Sequence, residues 1–355
     1  MTRLRRTTRP SRTSLLRRPL LGAVLLAVAA CSPGPGGEPA EGGAAAGRPL
    51  FPDLAAHTWL PDAPEAGAGT AFWDHWGDGR AEMSGYRIVT PRYGEARVGE
   101  LALIYVTEPH DRRRWIKDDD AARPHRVEVM KLNASLKFQT GVYPYSVLTS
   151  VFSPVADWGR PRFTPVKITF SAQEWCGSYR REVWPGEEGF RSLLLSYFAG
   201  EGERVREVPA PRDLVWEDAL AIQLRELDGP FAGGGDWEGR IVPALWRLRA
   251  GHAPAAPVPA TIDRRDAVRD GTPVTRFVLE YVDYTRTFDV EKAPPRRILG
   301  WTTSDGEEAE LLSTDRMAYW RLNGVGDEDA RRRMGLDPAA GAPPGRPDGR
   351  GRPPQ

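Results

Sequence analysis

The sequence predicts a mainly β fold of antiparallel curved sheets, built as a half-open barrel or a sandwich with one main helix. Three observations carry this expectation. Apolar residues recur at alternate positions in run after run, the signature of strands with one buried face. Short breaks containing Gly, such as Thr140-Gly141, Asp270-Gly271 and Asp305-Gly306, separate these runs as hairpin turns would. Only one stretch, Asp213–Leu227, places leucines (Leu220, Leu224, Leu227) at helical spacing, with Asp213 as a plausible N-cap. No unit of 20–50 residues repeats, which argues against a propeller or solenoid.

In chain order, residues 1–30 read as a bacterial secretory signal. Arg3, Arg5, Arg6, Arg9, Arg12, Arg17 and Arg18 precede the apolar run Leu20–Ala30 with no acid between them. That run is too short to span a bilayer, which takes roughly 20 residues. Val28-Ala29-Ala30-Cys31 looks like a lipobox, so cleavage before Cys31 and lipidation of its thiol are expected. Ser32, rather than Asp, follows the cysteine, which resembles the sorting pattern that favours the outer membrane in double-membrane bacteria. Removal of seven arginines turns the formal net charge from +1 to −6, leaving no basic footprint for nucleic acid. With Cys31 lipidated, Cys176 is the only thiol left, so no intrachain disulfide can form.

Residues 31–50, rich in Gly, Pro and Ala, read as a flexible tether. The globular part spans 51–335, with a candidate subdomain break near 200–211, and 336–355 reads as a disordered tail. Within it Gly99–Glu108, Val127–Gln139, Val142–Ser153 and Phe163–Trp184 are strand-like. So are Ile241–Leu248 and Pro273–Asp289, while Asp327–Met334 is a second, weaker helix. Both Asp-Gly pairs suit type I′ turns, whose two central residues need positive φ.

Two clusters could carry chemistry. Phe72–Glu82 (FWDHWGDGRAE) places Trp73, His75, Trp76 and Asp78 within a few residues, a mixture of aromatic faces, an imidazole and carboxylates. Ser171–Tyr179 (SAQEWCGSY) adds Gln173, Glu174 and Trp175 beside Cys176. No His follows a recognisable metal-ligand spacing, and no phosphate loop, dinucleotide glycine pattern or serine elbow appears, so neither metal nor cofactor is expected. The 12 Trp exceed what a core of this size needs, and aromatic faces with polar handles suit sugars, lipids or partner proteins.

The segments FWDHWGDGRAEMSGYR (Phe72–Arg87), VMKLN (Val129–Asn133), FQTGVYPYS (Phe138–Ser146) and SAQEWCG (Ser171–Gly177) are similar to a family of uncharacterised bacterial envelope lipoproteins. Members are sometimes labelled septum formation inhibitor (Maf), although the Ser-Pro-Arg-Arg type motif of true Maf nucleotide pyrophosphatases is absent. The resemblance implies an envelope location and a single domain, and brings no catalytic residue with it. The closing strands, ending LLSTDRMAYWRL, resemble half-barrel envelope proteins that bind lipid or lipoprotein chains.

The expectation is therefore a lipid-anchored, periplasm-facing protein that binds a lipid, a glycan or an envelope partner without turning it over, through Trp73, His75, Trp76, Asp78, Gln173, Glu174 and Trp175. The alternatives are an envelope hydrolase using His75, Asp78 and Glu174, and a structural assembly partner.

Overall fold

The computed structural model describes residues 67–338, apart from 113, 120–125, 187–188, 212 and 230–234. The signal, Cys31, the tether and most of the expected tail lie outside the described residues. A short helix, α1 (Thr70–Trp76), leads into a meander. Its strands are β1 (Ala81–Arg92), β2 (Glu95–Asp111), the two-residue β3 (Ile116–Lys117), β4 (Arg126–Thr140) and β5 (Tyr143–Pro154). It continues through β6 (Lys167–Glu174), β7 (Gly177–Pro185), β8 (Gly189–Ser196) and β9 (Glu203–Pro209). The second half holds β10 (Leu214–Trp216), a 3₁₀ turn at Glu217–Ala219, α2 (Leu220–Glu226), β11 (Trp237–Val242) and α3 (Leu245–Ala250). It ends with β12 (Val258–Arg269), β13 (Thr272–Tyr281), β14 (Tyr284–Glu291), β15 (Ile298–Thr303) and β16 (Glu308–Met317).

Among the described residues all the strands belong to one 16-stranded sheet of order β10-β11-β12-β13-β14-β15-β16-β1-β2-β4-β5-β6-β7-β8-β9, with β3 set against β2. The antiparallel β16–β1 pair joins the two meanders. The edge strands β9 and β10 are consecutive in the chain, separated only by residues 210–213. Four linking residues reach about 18 Å at most, so the sheet curls until its two edges come near each other without pairing. The fold is mainly β, a curved and unclosed barrel. The chain on either side of 200–211 lies in the same sheet.

The alternation that marks the strands is the alternation that builds the wall. In β4, Met130, Leu132, Leu136 and Phe138 are buried on the concave face while Lys137 and Gln139 are exposed. The hairpin at Asp270-Gly271 has φ of 47° and 81°, as the type I′ reading requires. At Asp305-Gly306 only Gly306 has positive φ, so this second turn is not type I′. Thr303 instead binds around the loop, its Oγ1 accepting from the Glu307 N–H.

Four expected elements differ, and one of them, Phe163–Trp184, is a hairpin rather than one strand, β6 and β7 meeting at Glu174 and Gly177. The helix expected over Asp213–Leu227 begins at Leu220, because Leu214–Trp216 pairs in parallel with β11 and Asp213 caps nothing. Ile241–Leu248 is a strand only to Val242. Pro243 has no N–H to donate to a ladder, and beyond it the Ala244 and Leu245 amides are taken by Glu217 and Asp218, starting α3. Pro273–Asp289 is a hairpin rather than one strand, turning at Val282 with φ 49°. Asp327–Met334 is helical, but of 3₁₀ type.

α2 runs through the barrel interior, with Leu220, Ile222 and Leu224 no more than 1% exposed. Met83, Val106, Met317, Met334 and Leu336 form a separate apolar cluster. There the C-terminal turn lies on β1 so closely that a Cβ on Gly85 would come 2.1 Å from the Met334 carbonyl oxygen. Leu336 is therefore packed rather than part of a loose tail. Among the described residues no helix is long and apolar enough to cross a membrane.

Candidate functional site

Two sites follow from the way α2 and α3 fill the curved sheet. At one end of the barrel, the residues of the first sequence cluster converge with the foot of α2. Glu82 is 1% exposed and receives Arg225 Nη1 at 2.7 Å, while His75 Nε2 lies 3.0 Å from its other oxygen. Arg316 reaches both His75 (2.9 Å) and Asp78 (2.6 Å). Trp76 donates its indole N–H to Glu226, and the Arg225 guanidinium lies over Tyr105 and Trp76. Burial alone would raise the Glu82 carboxyl, but Arg225 and the His75 hydrogen bond outweigh it and hold it down at about 2. His75 Nε2 is occupied by its neighbours: it either accepts from Arg316 or donates to Glu82. This is a plug, held by a buried ion pair and aromatic faces.

The second sequence cluster is elsewhere. Glu82 pairs with Tyr105, and that rung continues through Leu132 and Val151 to Ile168. Glu174 lies six residues further along β6, a rise of about 20 Å. The structure thus brings together His75, Trp76, Asp78 and Glu82 and separates them from Gln173, Glu174 and Trp175. Glu174 accepts the Cys176 N–H, and its carboxylate pushes the Cys176 thiol upward, away from thiolate character. Gln173 points outward. Among the described residues no group of three or more His, Cys, Asp or Glu could hold a metal ion.

The residues missed by sequence reasoning lie in the barrel interior. A cavity of ≈ 340 Å³ opens between the concave face of β1, β2, β4 and β5 and the α2–α3 segment. Its wall is apolar: Leu101, Leu103, Leu132, Leu136, Val147 and Val151, with Ala134 and Ala221 leaving the space between them. Toward the opposite barrel end the lining turns acidic. Glu217 accepts from the Ala244 amide, the Tyr281 hydroxyl and Arg286, and Glu307 accepts from the Trp301 indole. Asp218 accepts the Leu245 N–H and keeps partial contact with the cavity while protein surrounds it. Asp305 holds Arg247 of α3 at 3.0 Å. α3 lies across this mouth, tied also by Arg92 to the Ala250 carbonyl and by the Trp246 indole to Thr90.

Hairpin tips at that same end carry exposed apolar side chains. Tyr93, Val142, Trp175, Tyr197 and Val282 are each more than half exposed, and Trp175 lies 6.4 Å from the Tyr143 ring. Trp175, chosen from sequence as a ligand-facing aromatic, therefore stands on the rim of the mouth.

Comparison with known proteins adds little to this geometry. No family model and no curated protein matches the chain. One solved structure, a beta-barrel-like protein of domain of unknown function DUF1849 from Brucella abortus, is similar at 10% identity and a TM-score of 0.41. The match covers 67% of this chain and 98% of that one.

Asp218 makes the mouth pH-sensitive. Burial, reinforced by the Glu217 carboxylate, pushes it up to about 7. Between about pH 4 and 7 the folded protein then keeps a proton that the unfolded chain has released, so stability falls as pH rises through this window and levels off above it. Asp218→Asn, which preserves an acceptor for the Leu245 N–H, should remove this slope. Urea unfolding is expected to find the variant near wild type at pH 4 and more stable by a few kcal/mol at pH 8. Parallel pH profiles for the two proteins would rule out a proton on Asp218.

Proposed function

We propose that this protein is a lipid-anchored component of the bacterial envelope whose half-barrel holds one apolar chain with an uncharged or cationic head. The observation that carries the reading is the interior cavity: an apolar pocket, within the ~300–1,000 Å³ range of small-molecule sites, that ends in a cluster of carboxyls at its mouth. Each buried methylene would contribute about 0.8 kcal/mol, so a medium-length chain binds usefully without any strong polar contact. Glu217, Asp218, Asp305 and Glu307 outnumber Arg247 and Arg286 there, which repels a carboxylate head and accepts a hydroxyl or an amine. The aromatic rim around the mouth suits contact with a lipid surface from which such a chain would enter. The lipobox at Cys31 supports placement at a membrane, and the cavity supports binding rather than turnover.

The test uses the full chain and N-phenyl-1-naphthylamine, a neutral apolar fluorophore with a single N–H. Its emission should rise on binding, with energy transfer from Trp246 and Trp301, and dodecanol should displace it. Dodecanoate should compete at least tenfold more weakly at pH 8. A silent fluorophore, or equal competition by dodecanoate, would overturn the pocket's assignment. For the anchor, labelled palmitate should enter wild-type protein and not Cys31→Ser.

A further inference from the structure

The cavity mouth is acidic, yet the other side of α3 is strongly basic. A second cleft, of ≈ 210 Å³, lies between α3 with residues 252–255 and the concave face of β7, β8 and β9. Arg181, Arg204, Arg206, Arg249 and His252 line it, against one carboxylate, Glu201. The register explains the convergence: Ser192 pairs with Arg206 and Leu194 with Arg204, so both β9 arginines share the inward face with Arg181 of β7.

Two of these guanidiniums are deeply buried. Arg249 is 4% exposed and Arg181 is 6% exposed. Arg181 uses its donors on neutral oxygens, the Tyr179 hydroxyl and Ser192 Oγ. Arg249 has Nε and Nη1 without any hydrogen-bond partner among the described residues, and its guanidinium lies over the faces of Tyr179 and Phe198. Glu201 hydrogen-bonds to Ser196 and His252 rather than to either guanidinium, and Arg249 acts on it only through space. Stacking on aromatic rings recovers only a fraction of what burying a guanidinium costs. The planar fork of a guanidinium matches two oxygens of a tetrahedral phosphoryl group, whose charge would offset the cost of burying it.

We infer that this cleft is a binding site for a phosphoryl group, with Arg249 and Arg181 gripping the oxyanion and Arg204, Arg206 and His252 drawing it in. The site is separate from the apolar cavity and does not depend on it. Its position beside Tyr197 and Phe198, on the β8–β9 tip of the aromatic rim, gives two sources for the same chemistry: free phosphate, or the headgroup of a lipid at the membrane surface.

The experiment titrates the full chain with inorganic phosphate and with dihexanoyl phosphatidic acid, at constant ionic strength maintained with chloride, following thermal unfolding and calorimetry. Both ligands should raise the melting temperature in a concentration-dependent way. Arg249→Met and Arg181→Met should weaken binding at least tenfold, and Arg249→Lys should recover part of it. Arg249→Met should also be no less stable than wild type in phosphate-free buffer, because it removes a buried charge whose Nε and Nη1 donors are unpaired. Similar affinity for the two ligands identifies the free anion as the natural occupant, whereas at least tenfold tighter phosphatidate identifies a headgroup. Absence of any shift in wild type, or unchanged affinity in both methionine variants, would overturn the site. Loss of N-phenyl-1-naphthylamine binding would bear only on the apolar cavity.

Discussion

Replacing Arg225 with methionine is expected to destabilise the fold by about 3–5 kcal/mol, the usual cost of stranding one member of a buried ion pair. Glu82 would be left 1% exposed, with the part-exposed His75 as its remaining hydrogen-bond partner. The same substitution should change the response to acid. In the wild type Glu82 is held down to about 2, so its contribution is complete above the unfolded value of about 4.5 and is lost as pH falls toward 2. Without Arg225, burial dominates and the folded carboxyl rises above the unfolded one, so lowering the pH toward 5 should now stabilise the variant relative to neutral pH. The double variant Glu82→Gln/Arg225→Met should recover much of the loss. Urea midpoints at pH 5 and 7.5 provide the check. An Arg225→Met protein within 1 kcal/mol of wild type at both values would mean that the plug does not hold the barrel end.

The parts of this molecule legible in sequence are those set by neighbours in the chain. Asp270-Gly271 makes its type I′ turn because both residues tolerate positive φ, and β4 alternates because one of its faces is wet. The β16–β1 pair was not legible, since Met317 meets Ala81 from 317 − 81 = 236 residues further along the chain. Nor was the split of 241–248, which depends on Glu217 and Asp218 arriving from an earlier segment to take the Ala244 and Leu245 amides. The site shows the same division. Trp73–Asp78 was visible as a dense cluster, but density in sequence could not distinguish a plug from a ligand site. Trp76 is buried against α2, whereas Trp175, with a similar polar setting, stands exposed on the rim. The basic cleft was invisible because Arg181, Arg204, Arg206 and Arg249 come from three elements that meet only when the sheet curls.

Ala134 offers the sharpest separation of function from stability. It sits on the concave face between Leu132 and Leu136, where a larger residue would close the cavity against Ala221 of α2. Ala134→Trp should therefore abolish N-phenyl-1-naphthylamine binding, by at least a hundredfold, while leaving the outer face of β4 untouched. Its effect on stability should have the opposite sign. A void lined by leucine and valine forfeits packing, at about 24 cal/mol per Å³ in a dry core, and even partial filling should raise stability by about 1–2 kcal/mol. A residue placed only for packing would be replaced at a cost in stability, because inserting an indole into a full core strains it. A cavity kept open for a ligand gives up stability for function, and filling it should reverse that exchange. Thermal unfolding and fluorophore titration of the same variant decide the matter. Lost binding with equal or greater stability is the result expected of a binding site, and lost stability with unchanged binding would place the ligand elsewhere.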